Sequence, residues 1–159
     1  MMWVCRAGEK SLYLEQFLRD NRIYLPWDGY HFDLSQLKDL SEFKKAVIKE
    51  KGDQSRTSIS NWAGQLWSFS HEMNVDDLVL IPHRSSRKYT LAKITGAYSF
   101  NPSDNRGLFH SRTIDILEDN IPREVFPQSL RYSLGAFRTI FKVKREEEVF
   151  ASLRRGGAE

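Results

Sequence analysis

The hydrophobic periodicity of the chain changes at Asp76. Before it, in residues 58–73, apolar side chains recur at the spacing of one helix face, at Ile59, Trp62, Ala63, Leu66, Phe69 and Met73. After it, residues 78–81 form a continuous apolar run, which is typical of a strand buried on both faces. The fold must therefore combine helices with a sheet.

The other segments extend this division. The sequence predicts strands at 2–5 and 23–27, a helix at 10–20, and two short helices at 35–40 and 41–51, each with a serine N-cap. The second half predicts strands at 89–100, with a bulge at Gly96, and at 111–117 and 139–143. This order indicates an α+β fold with a curved or closed, mostly antiparallel sheet flanked by helices.

The length of 159 residues is that of one domain with a real core. We expect the domain to span residues 1–144. Residues 145–159 are charged and amphipathic, and they predict a linker helix that buries little. Two interpretations of this tail stay open: the start of a missing effector domain, or a native tail.

Motifs that carry chemistry are missing from the sequence. It contains no GxSxG elbow, phosphate loop or GxGxxG motif, and its four histidines are scattered. The triplet Glu42-Phe43-Lys44 suggests a nuclease centre only loosely, because it begins a predicted helix. We therefore expect a non-enzymatic module without metal or cofactor, and any nuclease activity is expected in another domain of a longer protein.

The single cysteine, Cys5, excludes an intrachain disulfide and fits a reducing compartment. The N-terminus lacks a signal-peptide pattern, and no apolar run reaches the length of a membrane span. We expect a cytoplasmic protein without a membrane partner. The oligomeric state is not specified by the sequence.

The stretch RIYLPWDG, residues 22–29, places a large aromatic side chain at the end of a strand. The apolar run ends in Pro26 and Trp27, and Asp28-Gly29 is a turn signal. Two roles for Trp27 stay open at this point: a plug at the end of the core, or a flat platform for a ligand.

Several segments in this order resemble one family: MWVCRAGEKSLYLEQF, IYLPW, SNWAGQLWSF, MNVDDLVLIP, YTLAKITGAYSF, FHSRTIDIL, IPREVF and RYSLGAFRTIFKV. Together they resemble the EVE-like N-terminal module of bacterial restriction endonuclease-type proteins. That module belongs to the PUA-like superfamily, which includes YTH and SRA domains. The resemblance covers residues 2–144 and implies a small β-barrel of about five to six strands with helices packed around it.

The function that the resemblance implies is recognition of a modified, flipped-out DNA base, which targets a fused restriction or defence nuclease. Trp27 matches the aromatic that forms one wall of the base pocket. The segment that supplies the second wall offers Tyr98, Phe100 and Phe109. The first loop, RAGEKS, lacks the asparagines of YTH domains, so a modification other than N6-methyladenine is possible. The remaining pocket candidates are Arg6, Glu9, Ser11, Asp28 and Trp67.

A reader of this kind also needs contacts to backbone phosphates. The net charge of +3 and the pI near 9.0 agree only mildly with a polyanionic partner. The densest basic cluster outside the tail gives the predicted phosphate ligands, which are His83, Arg84, Arg87 and Lys88, extended by Arg112 and Lys142.

Two other functions stay open at this point. One is the reading of a modified base in single-stranded RNA, as YTH domains do. The other is a small-ligand or protein-interaction sensor without a role in nucleic-acid binding.

Overall fold

The computed structural model describes residues 1–136 and 138–157, which form seven strands and five α-helices. The strands are β1 (Met2–Cys5), β2 (Arg22–Tyr24), β3 (Leu78–His83), β4 (Lys88–Ile94), β5 (Ser99–Phe100), β6 (His110–Pro122) and β7 (Ile140–Lys142). The α-helices are α1 (Leu14–Asp20), α2 (Leu40–Lys51), α3 (Arg56–Trp67), α4 (Gln128–Leu134) and α5 (Glu146–Gly157).

The strands form one curled sheet, a mixed half-barrel flanked by helices, in the order β2-β6-β4-β3-β1-β7, with β5 paired to β6. β1 and β3 are parallel, with Met2 opposite Leu78, and the other described pairings are antiparallel. The parallel pairing is possible because the long segment between the two strands carries α1 to α3 over one face. The predicted α+β fold class is confirmed.

The sheet separates two hydrophobic clusters. The first packs against α1, α2 and α3 and contains Trp3, Phe17, Phe43, Leu66 and Phe69. The second packs against α4 and α5 and contains Met2, Leu80, Phe126, Leu130 and Val149. Successive residues of β1 and β3 alternate between the clusters, so both strands are buried on both faces, as the continuous apolar run predicted for β3.

Cys5 ends β1 inside the first cluster. Its side chain is fully buried, with Sγ 3.9 Å from the carbonyl oxygen of Tyr24 on β2. Burial raises the pKa of the thiol to about 12, because the charged thiolate would lose its hydration. β2 and β1 lie near opposite ends of the strand order, so this contact shows how far the sheet curls.

Several predicted elements differ in their bounds. The helical stripe at 58–73 is α3 followed by a π-helical turn, Ser68–Glu72. The helix expected from residue 10 begins at Leu14, because Lys10 and Ser11 adopt positive φ angles of 54° and 57° in a 3-10 turn. The second strand ends at Tyr24, before Pro26. The long strand expected at 89–100 is two strands, β4 and β5, with Gly96 between them. A Cβ at Gly96 would lie 2.3 Å from Thr113 Oγ1, so this close approach to β6 requires glycine.

The predicted serine N-caps are also wrong. Asp33 caps the 3-10 turn Leu34–Gln36 by accepting from the Ser35 amide. Asp39 caps α2 by accepting from the Glu42 amide at 2.9 Å, and Ser41 lies inside the helix. A carboxylate two positions earlier therefore takes the role assigned to each serine.

The charged tail is mostly helical. α5 places Val149 against the second cluster and buries Ser152, so the expectation that this stretch buries little is wrong. Residues 158 and 159 of the predicted tail lie outside the described residues. Within the described chain, no helix has both the length and the hydropathy needed to cross a membrane.

The N-cap of α2 gives a stability test. We expect Asp39→Ala to lower the free energy of unfolding by about 0.5–2 kcal/mol, because the Glu42 amide loses its acceptor. Ser41→Ala is the matched control and should leave stability unchanged or slightly higher, since alanine is the better helix former. Urea unfolding followed by circular dichroism measures both. A larger loss in Ser41→Ala than in Asp39→Ala would contradict the assignment.

Candidate nucleic-acid interface

Four basic residues meet at one end of the sheet because of its topology. Arg6 follows β1 and Arg84 follows β3, and these neighbouring strands are parallel, so both residues leave the same edge. Lys88 begins β4 opposite Pro122 on β6, and Arg123 comes next. The pairing of distant strands thus gathers cations that are up to 117 positions apart in the sequence.

Trp27 lines a cavity of about 430 Å³ at this edge, here called the Trp27 cavity. Its indole Nε1 donates to Thr139 Oγ1 at 3.1 Å, and its ring lies 6.2 Å from that of Tyr30. The indole is therefore held in place while it still lines the cavity. The other lining residues are Arg6, Gly8, Glu9, Pro26, Arg84 and Thr139.

The loop after β1 forms one side of this cavity and is tied to the β3–β4 hairpin. Ser11 Oγ accepts from the Arg84 amide at 2.9 Å and donates to the Pro82 carbonyl at 3.3 Å. Gly8 has a φ of 85°, and a Cβ there would lie 2.9 Å from the Tyr13 ring. The predicted base contact Ser11 thus joins the two sides of the site through hydrogen bonds.

A second cavity, of about 290 Å³, adjoins the first and is here called the basic cavity. It shares Arg6 and Arg84 with the Trp27 cavity. Its described lining contains no carboxylate and five cationic side chains, which are Arg6, Arg84, Arg87, Lys88 and Arg123. The other lining residues are Ser11, Pro82, His83 and Tyr89. This arrangement concentrates positive potential in a concave surface, which favours an anionic ligand.

Four of these cations form no salt bridge in the described chain, although Lys88 lies close enough to Asp119 to help lower the pKa of that carboxyl group. Arg84, Arg87, Lys88 and Arg123 form no salt bridge with any carboxylate that the structure describes. The arginines among them are exposed, and Lys88 is partly buried. Their charges are therefore available to a ligand.

His83 lines the basic cavity as a neutral side chain. The Thr90 hydroxyl donates to Asp119 Oδ1 at 2.6 Å, so its oxygen accepts from His83 Nε2, also at 2.6 Å. Burial lowers the pKa of His83, and the nearby Asp119 carboxylate only partly opposes this. The predicted phosphate ligand His83 thus contributes shape here, and the charge comes from its neighbours.

The predicted second wall lies elsewhere. Tyr98 donates to His110 Nδ1 at 2.6 Å, Phe100 stacks on the same imidazole, and Phe109 contacts His31. None of the three aromatic side chains lines the Trp27 cavity. The buried Tyr30 lies between the two groups, because its ring contacts Trp27 while its carbonyl oxygen accepts from His110 Nε2 at 2.8 Å.

Four further candidates also lie outside the two cavities. Arg112 is 4% exposed and donates to the carbonyls of Gly96 and Phe69, so it supports the fold and does not extend the basic cluster. Lys142 pairs with Glu72 at 3.0 Å. Trp67 stacks on His71 and lines a separate cavity with Lys142. Asp28 is exposed in its turn.

Sequence reasoning missed two residues of the site, Arg123 and Thr139. Arg123 lies within IPREVF, where nothing local distinguishes it from other surface arginines. Thr139 comes directly before β7 and reaches Trp27 only because β7 pairs with β1. Both residues enter the site through long-range strand pairing.

Two solved structures match this chain at low sequence identity. An X-ray structure of a Pseudomonas putida protein is 14% identical, covers 98% of this chain and 99% of its own, and has a TM-score of 0.46. An NMR structure of a Rhodopseudomonas palustris protein is 17% identical, covers 99% of this chain and 93% of its own, and has a TM-score of 0.43. Comparison with curated proteins finds no match. A family model described as "Domain of unknown function (DUF8426)" matches residues 2–143, so the chain belongs to this family.

The buried His110 makes stability depend on pH. Its Nε2 donates to Tyr30 and its Nδ1 accepts from Tyr98, whose oxygen also accepts from the Leu34 amide, so the neutral ring is fully satisfied. Burial lowers the pKa of His110 to about 4. Since the unfolded pKa is about 6.5, the unfolded chain takes up a proton first as the pH falls.

We therefore expect the contribution of His110 to be complete above about pH 6.5 and to be lost towards pH 4, by on the order of 3 kcal/mol. Urea unfolding across this range measures the slope, and NMR titration of the His110 imidazole assigns it. His83→Gln is the control, because the pKa of His83 is also lowered and its removal leaves the pH dependence that comes from His110. Titration of His110 in the folded protein near pH 6.5 would refute the expectation.

Proposed function

We propose that this protein binds nucleic acid at the edge of the sheet and recognises a modified, flipped-out DNA base in the Trp27 cavity. The observation that carries the proposal is that the Trp27 cavity and the basic cavity adjoin and share Arg6 and Arg84. A nucleotide has a flat apolar part joined to an anionic part. The two cavities offer the complementary surfaces side by side.

The energetics require both cavities. Flipping a base out of a duplex costs a few kcal/mol, and stacking on one aromatic ring contributes about 1–3 kcal/mol. The described lining of the Trp27 cavity contains one aromatic ring, so stacking alone does not offset the cost. Phosphate contacts from the basic cavity supply the remaining affinity, which will depend strongly on salt.

Selectivity requires polar contacts to the edge of the base. In the Trp27 cavity the Glu9 carboxylate offers acceptors, and the guanidinium groups of Arg6 and Arg84 offer donors. The volume of about 430 Å³ lies within the range of small-molecule sites, so a base with an added substituent fits. These three side chains are the candidates for distinguishing modified from plain bases.

The resemblance to EVE-like modules agrees with this role. In that family such a module targets a fused restriction or defence nuclease to modified DNA. We propose the same division of labour here, in which this domain binds and an effector domain cleaves. The domain itself then has no catalytic role.

Replacement of Trp27 tests the base platform. We expect Trp27→Ala to weaken binding to a duplex carrying the preferred modified base by about tenfold, while Trp27→Phe retains part of the affinity through stacking. Trp67→Ala is the matched control, since Trp67 is also partly buried but lines a different cavity. Fluorescence anisotropy measures binding to duplexes with plain, methylated, hydroxymethylated and glucosylated bases. Equal affinity of the wild-type protein for all of these duplexes would sink the proposal.

The salt dependence of binding tests the basic cavity. We expect Arg84→Ala and Arg87→Ala each to reduce the slope of log affinity against log salt by about one, as the loss of one phosphate contact predicts. Lys142→Ala should leave the slope unchanged, because Lys142 pairs with Glu72 away from the cavity. An equal change in all three variants would show that the phosphates bind elsewhere.

A further inference from the structure

A third cavity continues from the basic cavity along α4. It has a volume of about 950 Å³ and is here called the α4 cavity. Arg123 lines both cavities, and Arg6 Nη1 donates to the Ala136 carbonyl at 3.3 Å across their junction. The α4 cavity is lined by Arg123, Gln128, Arg131, Tyr132, Ser133, Gly135 and Ala136. The three cavities therefore adjoin in series, and together they are here called the groove.

Tyr132 presents its ring to solvent in the α4 cavity. It is 88% exposed and is the one aromatic among the exposed large hydrophobic side chains of the described chain. The reason lies in α4, where Leu130 and Leu134 are buried in the second cluster and leave Tyr132 on the opposite side. The ring supports no part of the described core, so it is free to stack on a ligand.

Arg131 adds a positive charge to the lining of the α4 cavity. Its Nε is buried without a hydrogen-bond partner in the described structure. Buried donors are normally satisfied, and a guanidinium without an acceptor is unfavourable. Since this Nε is shielded from solvent, a phosphate in the α4 cavity would gain from the charge of the guanidinium and not from a hydrogen bond to Nε.

The charges along the groove favour a polyanion over a protein partner. Its described lining contains one carboxylate, that of Glu9, against six cations: Arg6, Arg84, Arg87, Lys88, Arg123 and Arg131. Tyrosine and arginine are also common at protein interfaces, but those surfaces are not so uniformly basic. An aromatic ring stands in each outer cavity, Trp27 in one and Tyr132 in the other.

We infer that the groove binds a single-stranded segment of several nucleotides, with Tyr132 as the stacking platform for a base beyond the one in the Trp27 cavity. A positively charged track with aromatic platforms is the usual form of a single-strand site. Bases within a duplex are stacked on one another and leave no free face for a second platform. The inference rests on the base pocket of the proposed function and changes its preferred ligand from a duplex to an unpaired strand that carries the modified base.

The test measures anisotropy with labelled probes of increasing length. The probes are a mononucleotide, single-stranded DNA and RNA of several nucleotides carrying one modified base, and the matching duplexes. We expect Tyr132→Ala to weaken binding of the longer single strands by about tenfold and to leave mononucleotide binding unchanged. Tyr132→Phe should retain most of the affinity. Ser129→Ala is the control for surface changes on α4, because Ser129 is exposed on the same helix and does not line the cavity.

The outcomes separate this inference from the proposed function. A loss in Trp27→Ala for every probe, with no loss in Tyr132→Ala for any, overturns the inference and leaves the base pocket intact. Tighter binding of fully paired duplexes than of single strands also overturns it. Polyphosphate is a competitor that offers charge without bases. If it displaces the strands equally well from the wild-type protein and from Tyr132→Ala, the groove recognises charge alone and the inference is overturned. A preference for the DNA or the RNA strand supports the inference and identifies the source of the ligand.

Discussion

The parallel pairing of β1 with β3 is the constraint on which the rest of the molecule depends. It requires the two strands to be buried on both faces, and their residues alternate between the two hydrophobic clusters, as Met2 and Trp3 do. It also requires a long connection, which α1, α2 and α3 provide. Since parallel strands end at the same edge, the pairing places Arg6 beside Arg84. One backbone arrangement thus produces both the core and the basic surface.

The interface is built from loops that are held by hydrogen bonds from neighbouring elements. Ser11 joins the loop after β1 to the β3–β4 hairpin, and Thr139 fixes the indole of Trp27 from the start of β7. The charged groups are arranged differently, because Arg84 and Arg87 extend from the hairpin without acidic partners in the described chain. The site therefore combines a fixed aromatic surface with adaptable cations, a combination that suits a ligand with one rigid and one flexible part.

Much of the fold was predictable because hydrophobic periodicity is local, and the α3 stripe and the apolar run of β3 are both found where expected. The site was predictable only in part. The Trp27 cavity does bring together Trp27, Arg6, Glu9 and Arg84. Tyr98 lies outside it, on the other side of the buried Tyr30, and the sequence of a strand does not reveal such a separation. The remaining differences have the same cause. Basic character alone cannot distinguish a buried Arg112 from an exposed Arg123, because burial depends on which distant strands pair.

The burial of Cys5 has a practical consequence for spectroscopy. The chain has one cysteine, and its thiol is fully buried, with its pKa raised to about 12. Alkylating dyes react with the thiolate, which this environment disfavours at neutral pH. A cysteine introduced on the protein surface would therefore be labelled selectively without first removing the native one. Fluorophores or spin labels can be attached beside the groove while the wild-type core is kept.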